Sequence, residues 1–141
     1  MKTFSVSTTI RATPEVIWGL LTDAPNYPSW NETVTKVDGR IAKGEKITVH
    51  AKISPDRAFP VEVAVFEPGR HMVWQSRLPL GLFQGVRTYT LTPNADGSTE
   101  FSMKEVFSGP LSFLIERTIP DLQPDFNAIA ACLKKRAEAG G

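Results

Sequence analysis

The chain has 141 residues, enough for one domain with a real core, and 16 basic against 15 acidic side chains leave a net charge of +1. So even a balance, with no basic run except Lys134-Lys135-Arg136, excludes the field that draws nucleic acid or an anionic membrane. Cys132 is the only cysteine, so no internal disulfide forms, and no apolar run approaches the ~20 residues of a membrane span. Met1-Lys2-Thr3 leads straight into a strand pattern, so no secretory leader is expected and the cytoplasm is the expected location.

In chain order, residues 3–11 alternate, with Phe4, Val6, Thr8 and Ile10 on one side and Ser5, Ser7 and Thr9 on the other, as in a strand with one wet face. Thr13-Pro14-Glu15 starts a helix, with Thr13 as N-cap and Pro14 at its first position, and Val16, Ile17, Leu20 and Leu21 give that helix an apolar face. Asn26-Tyr27-Pro28-Ser29-Trp30-Asn31 is too rich in turn formers for more than a second short helical turn. Strands are predicted over 33–38, 45–53, 59–67, 71–77, 86–92 and 99–107. In 45–53, Ile47, Val49, Ala51 and Ile53 share a side; Pro68-Gly69 has the central residues of a type II turn. Residues 78–84, Leu-Pro-Leu-Gly-Leu-Phe-Gln, form an unusually apolar loop that presents Leu78, Leu80, Leu82 and Phe83, and it gates a pocket, folds back on the C-terminal helix or serves as a contact surface.

The tail from Pro110 carries Leu111, Ile115, Ile119, Leu122, Phe126, Ile129 and Leu133, a mean step of about 3.7, which is one face of a helix. Pro120 breaks it, because proline lacks the N–H and its ring clashes with the carbonyl of Glu116. The spacing predicts a short helix from Pro110 to Thr118 and a long one from Leu122 to Ala137, capped by Asp121 and ended by Gly140-Gly141. An antiparallel sheet followed by a long apolar-faced helix packs with the helix across the sheet's concave face.

The last hairpin, centred on Asp96, sets Leu91 opposite Phe101, Tyr89 opposite Met103 and Arg87 opposite Glu105, all on one face, with Thr88, Thr90, Ser102 and Lys104 on the other. Arg87 and Glu105 therefore face inward as a pair. They either hold the register of two strands or meet a polar group inside a cavity. Trp30, Trp74, Tyr89, Phe101, Met103 and Phe107 are the other large inward residues, serving as core or as the lining of an apolar pocket. His50 and His71 fall on the opposite parity and no metal-ligand spacing exists, so no metal and no cofactor are expected. No phosphate loop and no nucleophile elbow is present either.

The order strand, two short helices, six strands, long helix, together with Ile10-Arg11-Ala12-Thr13-Pro14-Glu15-Val16-Ile17-Trp18, Tyr27-Pro28-Ser29-Trp30-Asn31, Met72-Val73-Trp74 and Glu105-Val106-Phe107-Ser108-Gly109, resembles the SRPBCC superfamily. This is the START-like, helix-grip group that includes polyketide cyclase/dehydrase-type proteins. The likeness spans residues 1–141 and implies an α+β fold: a seven-stranded antiparallel sheet curved around the C-terminal helix, two short helices between strands one and two, and a hydrophobic cavity between sheet and helix. Members bind lipids, polyketides or other apolar molecules, and some are enzymes. Many relatives carry histidine near the positions of Arg87 and Met103; this chain has neither, which leaves Arg87, Tyr89 and Glu105 as the polar cavity candidates.

Three functions follow as expectations. The first is binding of a small apolar molecule by Trp30, Trp74, Tyr89, Phe101, Met103, Leu122, Phe126 and Ile129, with Arg87 and Glu105 orienting one polar group. The second is a cyclase or dehydratase reaction in which Glu105 takes a proton and Arg87 or Tyr89 stabilises an enolate, although an arginine beside a carboxylate favours its ionised form over proton exchange. The third is a partner-binding domain with a filled core, in contact through loop 78–84. The residues do not fix an oligomeric state.

Overall fold

The structure, a computed structural model, describes residues 2–140. Seven strands form one antiparallel sheet: β1 (Lys2–Ile10), β2 (Val34–Asp38), β3 (Lys46–Ala51), β4 (Phe59–Glu67), β5 (His71–Arg77), β6 (Gln84–Pro93) and β7 (Thr99–Ser108). Their spatial order is β1-β7-β6-β5-β4-β3-β2, so every neighbour except β1 and β7 is also a neighbour in sequence. The sheet curls into a half-barrel. Two short helices, α1 (Pro14–Leu21) and α2 (Tyr27–Trp30), lie between β1 and β2, while α3 (Ser112–Ile115) and the long α4 (Gln123–Gly140) follow β7. This is the expected α+β helix-grip arrangement. No described helix is long and apolar enough to cross a membrane.

Local chemistry explains the element ends. The Thr13 hydroxyl accepts the Val16 N–H at 3.3 Å and Pro14 opens α1, as expected. Gly69 has φ 74 after Pro68, and the Arg70 N–H closes the turn on the Glu67 carbonyl. In the last hairpin Asp96 Oδ1 accepts both the N–H and the hydroxyl of Ser98, and Gly97 takes φ 90, which fixes the expected pairing of Arg87 with Glu105, Tyr89 with Met103 and Leu91 with Phe101.

The predicted strand 45–53 ends earlier, at Ala51. The Ser54 N–H turns back onto the Ala51 carbonyl, so Ile53 leaves the inward row and is 41% exposed. The short helix starts at Ser112 rather than Pro110, because the Leu111 N–H is taken by the Leu82 carbonyl across the loop. That crossing needs Gly109: its φ is +117, and a Cβ there would lie 2.7 Å from Leu82 O. Pro120 breaks the tail as expected. After a turn of 3-10 helix at Glu116–Thr118, Ile119 is extended (φ −81, ψ 122). α4 begins one residue later than expected, though Asp121 Oδ1 still accepts the Gln123 N–H at 3.0 Å, and it continues to Gly140 instead of ending at Ala137. Gly141 lies outside the described residues.

The core is the concave face of the sheet under α4. Phe126, Ile129, Leu133 and Ala137, at helical spacing, are buried, and α4 runs over β1, where Phe126 meets Phe4 at 5.8 Å between ring centroids. α1 and α2 close one end: Ile17 and Leu21 are fully buried, and the Tyr27 hydroxyl donates to the Leu21 carbonyl at 2.6 Å.

Candidate functional site

Because α4 lies along the β1 side, it does not fill the trough over the middle of the sheet. There a cavity of about 330 Å³ remains, within the usual range of small-molecule sites. Its wall is mostly apolar, drawn from β2 to β7, the 53–59 turn, the extended break around Ile119 and the first turns of α4.

Of the residues expected around a ligand, Trp74, Arg87, Tyr89, Glu105, Leu122, Phe126 and Ile129 line this cavity. Trp30, Phe101 and Met103 do not. Phe101 and Met103 pair across β1 with Thr8 and Val6, on the side that α4 covers, and both are 0% exposed. Trp30 is held in α2 against Tyr27, at 5.0 Å, within the core. All three are buried, Phe101 and Met103 on the side their parity requires, at positions filled by packing.

Three wall residues were not legible as such in the sequence. Tyr27 comes from a helix of only four residues, and Arg57 from a turn. Asp125 did leave a signal: it stands three residues after Leu122 and four before Ile129, so it shares their face of α4.

The polar end of the cavity is built on two adjacent strands. Arg87 of β6 faces Glu105 of β7, Nε to Oε1 at 2.5 Å, with side chains 23% and 13% exposed. Arg87 Nη1 also donates to the Tyr89 hydroxyl at 3.3 Å, and the guanidinium lies 5.0 Å from the Phe126 ring centroid, a cation–π contact that ties the sheet to α4. Burial acts to lower the Arg87 pKa, but the Glu105 charge and the Tyr89 contact outweigh it and the net shift is upward, so the guanidinium stays charged. Burial raises the pKa of Tyr89, against the opposing pull of Arg87, and its hydroxyl keeps its proton at neutral pH. Burial likewise raises Asp125, with Arg87 pulling the other way. Trp74 stacks edge-on to Tyr89 at 5.0 Å, and its buried indole N–H has no acceptor among the described residues. One same-face step along the strands from the Arg87–Glu105 pair, Phe83 stacks on Phe107 (5.9 Å, 13° between planes), which itself lies over Gly85 where a Cβ would come within 3.0 Å of the ring.

The apolar loop is therefore only partly a free surface. Leu80 is 94% exposed, at φ 64, but Phe83 is folded into the wall, contrary to the expectation that it is presented outward. The histidines face away as expected: His50 pairs with Asp38 at 3.0 Å and His71 with Glu67 at 3.2 Å. Among the described residues no group of histidine, cysteine and acidic side chains could hold a metal, and Cys132 is a half-buried packing residue.

A family model described as polyketide cyclase / dehydrase and lipid transport matches residues 1–138. The chain belongs to this family. Comparison with curated proteins finds no match. Among solved structures, a Mesorhizobium loti protein has a TM-score of 0.75 at 22% identity, covering 99% of each chain. A START superfamily protein from Mycobacterium smegmatis scores 0.70 at 17% identity, again over 99% of each chain. The di-domain ARO/CYC BexL, from the BE-7585A biosynthetic pathway, scores 0.72 at 14% identity over 98% of this chain and 47% of BexL. At these identities the likeness is one of fold.

Proposed function

We propose that this member of the family binds a small apolar molecule of lipid, polyketide or aromatic type in the cavity between the sheet and α4. Trp74, Tyr89, Leu122, Phe126 and Ile129 surround the ligand's body, and Arg87 and Glu105 orient one polar group. The observation that carries the reading is the mostly apolar trough with the buried Arg87–Glu105 pair set in its wall. Closure by hydrophobic contact supplies affinity and the few polar groups supply orientation. The lone half-buried cysteine suits the reducing conditions of the cytoplasm.

Native mass spectrometry beside a denatured control tests this. A co-purifying molecule of a few hundred daltons, on the order of what such a volume holds, is the expected result. An apo mass together with no thermal shift across a panel of lipids and aromatic compounds would sink the proposal.

A second reading is a cyclase or dehydratase, favoured by the chain Tyr89–Arg87–Glu105, in which a protonated phenol and a guanidinium are placed to stabilise an enolate. Against it, Oε1 of Glu105 is already engaged by Arg87. Unchanged turnover of an accepted substrate by Glu105→Gln would end this reading.

A further inference from the structure

We infer that Asp125 makes the cavity discriminate against carboxylic acids, so that the ligand's polar group is a neutral one that both accepts and donates hydrogen bonds, as a hydroxyl, a phenol or a hydroxy-ketone does. This rests on the reading of the cavity as a ligand site.

A guanidinium has five N–H groups. Arg87 spends one on Glu105 and one on Tyr89; the other three have no protein acceptor among the described residues. Taken alone, those donors would suit a carboxylate held by two parallel bonds. The charge does not. Glu105 already matches the guanidinium, and it uses only Oε1, so Oε2 remains as an acceptor. Asp125, in the same wall and near enough to feel the Arg87 charge, has no hydrogen bond and no ion pair from its side chain among the described residues. Arg87, Glu105 and Asp125 together carry one net negative charge. A ligand carboxylate reaching Arg87 would add a second in a region where water screens poorly, and like charges brought together there are strongly disfavoured. The remaining cation of the wall, Arg57, sits on the exposed 53–59 turn, and its side chain makes no ion pair among the described residues.

A hydroxyl meets none of this opposition. Its lone pair takes an Arg87 N–H and its proton goes to Glu105 Oε2 or to Asp125. The upward shift of Asp125 by burial agrees with a carboxyl that lacks full solvation and would gain from such a donor. Position 125 thus acts by exclusion as much as by attraction.

Matched probes of one skeleton, 2-naphthol and 2-naphthoate, test this by calorimetric titration of the native protein and of Asp125→Asn at neutral pH. The native protein should bind naphthol about 10-fold more tightly than naphthoate, and Asp125→Asn should shrink that ratio about 10-fold, while Asp125→Glu retains it. Native protein that binds naphthoate as tightly as naphthol, or a ratio that Asp125→Asn leaves unmoved, overturns the inference while the cavity reading stands. Folded native protein that binds neither probe overturns both.

Discussion

Arg87 and Glu105 show how one pair serves structure and site together. Each stands inside a sheet face that is otherwise apolar, and each would be costly to bury alone. Glu105→Ala strands the guanidinium and is expected to cost on the order of 3 kcal/mol in urea unfolding. Replacing both, Arg87→Met with Glu105→Leu, removes the need for pairing and should cost clearly less than the single change. A double variant as unstable as Glu105→Ala would show that the pair does not act as a unit. Asp96 makes the opposite case, an exposed carboxylate with a local task. Its side-chain bond to the Ser98 hydroxyl, and then its bond to the Ser98 N–H, hold its pKa below the ordinary value.

At the scale of elements, the tail is two helices rather than one, because Pro120 forces Ile119 out of helical angles. Amide exchange should therefore find a protected block in α4 and little protection over residues 116–122; continuous protection from Leu111 to Lys135 would contradict this. The apolar loop before β6 is fastened to the start of α3 through Leu82 and Gly109. Gly109→Ala must place a Cβ against the Leu82 carbonyl at a φ that only glycine takes readily, and a loss of more than about 1 kcal/mol in thermal unfolding is expected. What remains exposed of that loop is Leu78, Leu82 and, above all, Leu80 at 94%. The partner-binding function would need it, so a concentration-dependent oligomer dissolved by Leu80→Asp would support an interface there.

At the scale of the whole molecule, the pH dependence of stability has a definite sign. Asp38, through its bond from Lys36, Asp96, through Ser98, and Glu138, through the Arg11 N–H, all have folded pKa values below their ordinary ones. Their contribution is fully present above the unfolded carboxylate range, near about 4, and is lost as pH falls through the folded values. Asp125 has the opposite sign: its raised folded pKa means that ionising it works against the fold, so its contribution is largest at low pH and is lost as pH rises through the folded value. Thermal unfolding should thus show a midpoint that falls as pH drops below about 4, and Asp125→Asn should not lower it at neutral pH. The cavity belongs to this scale as well. It exists because a straight helix laid along one side of a curled sheet leaves the middle of the trough uncovered.

What the sequence determined by itself was most of what local rules govern. Alternation at period two marked the seven strands and their inward faces, the Asp96 turn set Arg87 against Glu105, Thr13-Pro14 opened α1 and Pro120 divided the tail, because caps, turns and pleats depend on residues a few positions apart. Tertiary structure alone decided which inward residues are packed and which stand at open space. Parity places Phe101, Met103 and Tyr89 on one face, yet it does not say where along that face the helix lies. Because α4 covers the β1 side, Phe101 and Met103 became core, while Tyr89, Arg87 and Glu105 came to line one cavity together with Asp125 of α4, a meeting in one wall. That meeting is set by the curl of the sheet and the seat of one helix, which are properties of the assembled elements and of no single stretch of sequence.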